Sequence, residues 1–342
     1  ITGLDRPATQ SALRAALDDG ILLVDGEDYA FRHALLREVA MQRLLPDQRV
    51  AAHAAAAAAL EVDPDLAAAG RAGAHGQAAY HWWAARDVPR CLSASVVAAG
   101  EAERVFAGAV ALRHLRRAIE LWADVEDAEQ LTSTTRAALL LNASRIAWEV
   151  DDPDVGELAA LAVRAAHAAG DTRASAEATL LHSLVLFRFG HGQEALAVAA
   201  RERARHDAEN HTGEHAAAMA LALLAHATAE SRASEGMDGA WELDAVANNL
   251  RCALTLARTS GDLDVERTVL TGIIDTVGPY LRDLTDEAVA GLAALEPDGP
   301  SGGTVYGLAA YWAARNDYLC GHFAEVESAV TRWRAATSPT TD

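Results

Sequence analysis

Along most of this chain the apolar positions recur with a helical period, and one short stretch near its start follows a strand period instead. Ser11 to Asp19 places Leu13 and Leu17 at i and i+4 and meets Gly20, which predicts a short helix stopped by that glycine. Ile21-Leu22-Leu23-Val24 and Tyr29-Ala30-Phe31-Arg32 then flank Asp25-Gly26-Glu27-Asp28. Two β-prone runs around an Asp-Gly turn predict a β-hairpin over 21–32. A helix from about His33 to Leu45, ended by Pro46, completes the unit 1–46.

From Asp47 onward strand signals nearly vanish. Helical stretches are separated by Asp63-Pro64-Asp65, Asp87-Val88-Pro89, Asp151-Asp152-Pro153, Gly170-Asp171, Gly190, Gly261-Asp262, Gly278-Pro279 and Gly321. Pro89 and Pro153 sit where a helix can begin, because proline at a first helical position loses no needed N–H. The breaks recur roughly every 15–20 residues, which predicts helical hairpins of roughly 34–40 residues. Phe187 to Leu196 reads as helix end, glycine turn, then Glu194-Ala195-Leu196 opening the next helix, and Tyr318 to Val326 repeats that grammar. Both stretches resemble the turn inside a tetratricopeptide repeat, although the full signature of that repeat is never matched. The fold expected is therefore mostly α: an α-solenoid of degenerate tetratricopeptide-like hairpins over 47–336, behind a winged-helix-like unit over 1–46. Glu296 to Gly303 reads as a loop, Ser231 to Gly239 as a second break, and 337–342 as a tail.

Composition narrows the chemistry. The 342 residues carry a formal charge of −20, and all 29 basic residues of the Lys+Arg count are arginine. Without lysine there is no P-loop lysine, Schiff base or lysine general base in this chain. The acidic balance argues against a grip on a nucleic-acid backbone by this chain alone. Cys91, Cys252 and Cys320 lie far apart, which indicates neither a disulfide framework nor a zinc knuckle and suits a reducing cytoplasm. No apolar run approaches a membrane span and no signal peptide opens the chain. It begins at Ile1 rather than methionine, so a piece of a longer protein is expected.

Few constellations suggest a site. His206, Asp207, Glu209, His211, Glu214 and His215 crowd together, with His211 and His215 at i and i+4, but no His-Glu-x-x-His occurs and a solvated polar turn is the expected reading. His75 and His81 do not share a helix face. Arg113 to Arg117 and Arg201 to His206 are locally basic and read as solvated faces or inter-helix ion pairs. Gly70, Gly73 and Gly76 lack the preceding strand and following lysine of a phosphate loop. Tyr80, His81, Trp82 and Trp83 read as core and inter-repeat contacts, with a ligand-anchoring groove as the alternative. No nucleophile–base arrangement appears, so this chain is not expected to be an enzyme by itself.

His33 stands apart, following a strand and sitting at a helix N-terminus, where it either donates to an anion drawn by the free N–H groups or simply caps and packs the strand–helix corner. The segment Phe31-Arg32-His33-Ala34-Leu35-Leu36-Arg37-Glu38 resembles the winged helix of large ATP-binding LuxR-type transcriptional regulators and related STAND NTPases. In those switches a Met-His-Asp step at this corner contacts the phosphates of bound ADP and holds the off state. This chain keeps the histidine, with Arg32 for the methionine and Ala34 for the aspartate. The resemblance covers 1–61 best and rests on helical texture across 73–336. It implies phosphate sensing by His33 and Arg32, ATP or ADP on an NTPase domain upstream in the same polypeptide, and an inducer or protein partner on the repeats. It also implies DNA contact only through a domain absent here. A cyclase or kinase with a repeat tail, and a free-standing tetratricopeptide-like adaptor, are the competing expectations.

Overall fold

Asp5 starts the first helix, earlier than Ser11, because its Oδ1 accepts the Ala8 N–H at 2.8 Å. Pro7 adds a fixed φ in the first turn. The computed structural model describes residues 5–26, 28–67, 70, 73–206, 212–234, 243–277 and 280–295, with positions 314, 318, 326–328 and 331. Helix α1 spans Arg6–Asp18 and ends at Gly20, whose φ of +67° lies in the left-handed region that favours glycine. Strands β1 (Leu22–Asp25) and β2 (Asp28–Phe31) pair antiparallel, with Leu22 opposite Phe31 and Val24 opposite Tyr29. Helix α2 spans Ala34–Arg43. Pro46, expected to end this unit, also opens α3 (Pro46–Val62), whose N-terminus is fixed by the Leu45 N–H donating to Gln48 Oε1 at 3.0 Å.

The helices that follow are α4 (Ala74–Ala84), α5 (Val88–Arg104), α6 (Gly108–Leu121) and the short α7 (Ala128–Thr132). Then come α8 (Arg136–Glu149), α9 (Val155–Ala169), α10 (Thr172–Arg188) and α11 (Gly192–His206). The last four are α12 (Glu214–Ser234), α13 (Leu243–Ser260), α14 (Leu263–Val277) and α15 (Arg282–Ala294). The chain is thus a mostly-α helical-repeat protein with one β-hairpin. It divides into two compact units, 1–135 and 136–342.

A common turn joins the helices. Gly170 adopts φ +69°, and the Asp171 side chain then accepts the Ala174 N–H at 2.8 Å to start α10. Arg86 (φ +59°), Phe106 (φ +57°) and Asp151 (φ +55°) hold the same left-handed position without glycine. The repeat is therefore regular in backbone where its sequence is not.

Within the second unit, sequential helices pack as antiparallel pairs, and α8, α10, α12 and α14 also touch one another as a row. Helices α9, α11, α13 and α15 make the opposite row, with no comparable contact among themselves. Closer approach on one side makes α8, α10, α12 and α14 the inner row of a curved stack. Alanine makes this closeness possible: every residue from Ala216 to Ala225 on α12 is buried. A Cβ placed on Gly272 of α14 would stand 2.5 Å from Leu224 Cδ1, so a larger residue at that crossing would have to push the Leu224 side chain aside.

The expected break at Ser231–Gly239 is helical through Ser234, and its remaining positions lie outside the described residues. So do Glu296–Gly303, the tail 337–342 and most of the Tyr318–Val326 turn. Among the described residues, no helix is long and apolar enough to cross a membrane.

Candidate functional site

The hairpin corner is built as the sequence suggests, but its surroundings are not. His33 caps α2 in extended conformation (φ −138°, ψ 139°), and its side chain makes no capping hydrogen bond. Arg32 continues the hairpin through its N–H to the Ile21 carbonyl at 3.0 Å. Both side chains are exposed and adjacent in the chain, at the head of α2. An imidazole without a local partner beside a guanidinium fits a phosphate oxygen presented from outside the chain.

Around that corner apolar side chains are bare. Residues directly opposite in a hairpin share a face, so Leu22, Phe31, Val24 and Tyr29 line one side of the sheet. Val24 is 61% and Tyr29 54% exposed. Leu35 and Val39, at i and i+4 on α2, are exposed too. Neither α1 nor α2 contributes a buried residue. Hairpin and helices together hold a surface with the composition of a core.

The inner row of the second unit carries a groove of about 390 Å³. Trp148 of α8 lines it together with Leu180 and Leu184 of α10 and Leu224 of α12. The α14 side supplies Arg267, Thr271, Asp275 and Thr276, and α12 supplies Thr228 and Arg232. The Thr228 and Thr276 hydroxyls lie 3.0 Å apart, and the Arg267 Nε is buried with no partner. Arg188 covers Trp148 at 4.9 Å from the ring centre, and Arg232 covers Phe187 at 5.3 Å. An apolar floor with a few convergent polar groups is the usual make-up of a ligand site. Sequence reading missed the groove because its residues come from four helices, each unremarkable in isolation.

The aromatic cluster of the first unit divides. Trp82 is buried and its Nε1 donates to Glu61 Oε1 at 2.7 Å, as a core residue would. Trp83 is exposed, with Arg117 stacked 4.5 Å from its ring centre. His75 turns to Glu101 Oε1 at 2.8 Å, whereas His81 shares a 2.8 Å hydrogen bond with His53 Nδ1. Burial, then the neighbouring His53, lowers the His81 pKa. A Cβ on Gly76 of α4 would meet the His114 ring of α6 at 3.3 Å. Among the described residues no set of three His, Cys, Asp or Glu side chains is placed to hold a metal.

His206 departs from the solvated turn expected of it. It is buried, and its Nε2 donates to Glu202 Oε1 at 3.2 Å. Glu202 is itself 1% exposed and also accepts from Ser175 Oγ at 2.5 Å and His167 Nε2 at 2.8 Å. One carboxylate therefore ties α9, α10 and α11 together. Asp207, Glu209 and His211 lie outside the described residues, and Glu214 and His215 are exposed at the start of α12.

No protein family matches the chain, and no curated protein does either.

Proposed function

We propose that this chain is the sensing and coupling region of a multidomain, ATP-dependent transcriptional regulator of the large LuxR type. The single observation that carries the reading is the bare apolar hairpin face beside an unpartnered His33. A surface of that kind favours a docked domain over a free-standing adaptor, because contiguous exposed apolar side chains mark interaction sites. The occupant is a nucleotide-binding domain of the same polypeptide, with the Arg32 and His33 side chains turned to the phosphates of its ADP. The nucleotide supplies charged oxygens, and this chain supplies the donors and the apolar surface that positions them.

The inner groove takes the inducer or protein partner. Its residues span α8, α10, α12 and α14, so occupancy alters how four helices sit against one another. Coupling of that change to the hairpin corner, whose release favours nucleotide exchange and assembly, is the proposed switch. DNA is gripped by a separate domain.

The test is His33→Ala in the intact protein, with retained nucleotide measured after gel filtration. Loss of ADP together with raised basal transcription is expected. Unchanged retention and unchanged basal activity sink the switch role. The coding sequence on either side offers a second check: a Walker A motif before it and a helix-turn-helix after it are expected, and absence of both overturns the class.

A further inference from the structure

The outer row carries a second cleft, of about 300 Å³, between α9 and α11. Its origin is the curvature of the stack: the two outer helices splay, and α10 becomes the floor between them. Thr179 and His182 of α10 lie on that floor, while Arg164 of α9 and Arg201 and Arg205 of α11 stand at the rim.

The charges sort themselves once their partners are followed. Glu202 is fully engaged: Ser175 and His206 meet Oε1, and His167 and Arg205 (3.8 Å) meet Oε2. Arg205 is thereby drawn to the wall. Arg201 gives its Nε to the Ala197 carbonyl of its own helix at 3.0 Å, which leaves the two terminal nitrogens of its guanidinium. Arg164 has no carboxylate partner among the described residues. Glu194 is the one remaining acid of the lining, and it sits near His182. Two guanidinium groups from different helices thus flank a floor in a chain whose net charge is −20.

The floor is unsatisfied as well. The Thr179 side chain is fully buried and its hydroxyl has no hydrogen-bond partner, and the buried His182 Nδ1 has none either. Buried polar groups left unpaired are costly, so a ligand that completes them gains affinity.

We propose that this cleft binds a small molecule bearing an oxyanion, a carboxylate or a phosphate group, held between Arg164 and Arg201 with Thr179 donating from below. Guanidinium forks match both oxyanions in bidentate geometry. The volume suits a metabolite rather than a peptide or nucleic acid, since drug-sized sites begin at roughly 300 Å³. This site is separate from the inner groove and stands whether or not the regulator reading holds.

The experiment is a titration of the full chain with inorganic phosphate and, separately, with succinate, at ionic strength held constant with sodium chloride. Thermal unfolding and calorimetry are the readouts. Saturable binding of at least one of the two is expected, weakened tenfold or more by Arg164→Gln and by Arg201→Gln. Both positions are exposed, so folding is retained, and circular dichroism checks it. Thr179→Val, nearly isosteric, is expected to weaken binding several-fold. Binding of phosphate alone or succinate alone assigns the oxyanion. Absence of saturation with both, or binding untouched by the paired Arg164→Gln and Arg201→Gln change, overturns the site.

Discussion

Burial alone would raise the pKa of Glu202, yet hydrogen bonds from His206, Ser175 and His167 outweigh it and hold the carboxyl down to about 2. The ordinary value is 4.5, so the ionised form is favoured by folding. A depressed carboxyl pKa gives stability that is complete above pH 4.5 and lost as pH falls towards 2. The size is on the order of 3 kcal/mol. Glu202→Gln keeps the shape but offers one acceptor where the carboxylate offered two. We expect it to lower stability by about 2–3 kcal/mol in denaturant unfolding at neutral pH and to flatten the acid limb between pH 4.5 and 2. A wild-type acid limb in the variant would show that the network does not carry this stability. None of this was legible in sequence. His206 and Glu202 stand at i and i+4, but His167 and Ser175 enter from two other helices, and only the fold brings them within reach.

At the scale of elements, much was legible, because punctuation and periodicity are local. The Asp171 cap, the Gly190 turn and the Glu194-Ala195-Leu196 start all recur in the structure. The hairpin register follows from its short turn. What the sequence hid are the turns where Arg86, Phe106 and Asp151 take a left-handed backbone, since nothing in those side chains announces it. Pro46 misled for a similar reason: proline ends one helix and begins another with equal ease, and here it does both. Helix–helix approach shows the value of a missing side chain. Alanine in place of Gly272 gains about 1 kcal/mol of helix propensity. Its Cβ would meet Leu224 Cδ1 at 2.5 Å and Cδ2 at 2.8 Å, and Leu224 is 1% exposed with little room to turn. Overpacking of this kind costs about 1–3 kcal/mol. Gly272→Ala is expected to lower the denaturation midpoint modestly and to narrow the inner groove, which Gly272 and Leu224 both line. A stabilised variant would place the propensity gain above the clash.

Across the whole molecule, burial is uneven. The helices from α3 onward bury alanine and leucine closely, whereas the 5–45 segment has an apolar sheet face and, among the described residues, no buried one. The chain alone should therefore bind a hydrophobic dye at the hairpin. Val24→Ser with Tyr29→Ser is expected to remove most of that signal while shifting stability by less than about 0.5 kcal/mol, because neither side chain belongs to a core. Dye binding unchanged by the pair would locate the exposed surface elsewhere. The sequence marked this segment through its alternation, yet alternation alone cannot say whether an apolar face is covered.

The unequal contacts of the two helical rows have a mechanical meaning. Such a stack behaves like a hand fan: the ribs meet along one edge and spread along the other. A molecule wedged between two outer ribs fixes the angle at that joint, and the angle at one joint sets the bearing of every rib beyond it. A clasp between Arg164 and Arg201 would therefore act on the distal helices as a hinge stop, with its largest displacement at the far end of the unit.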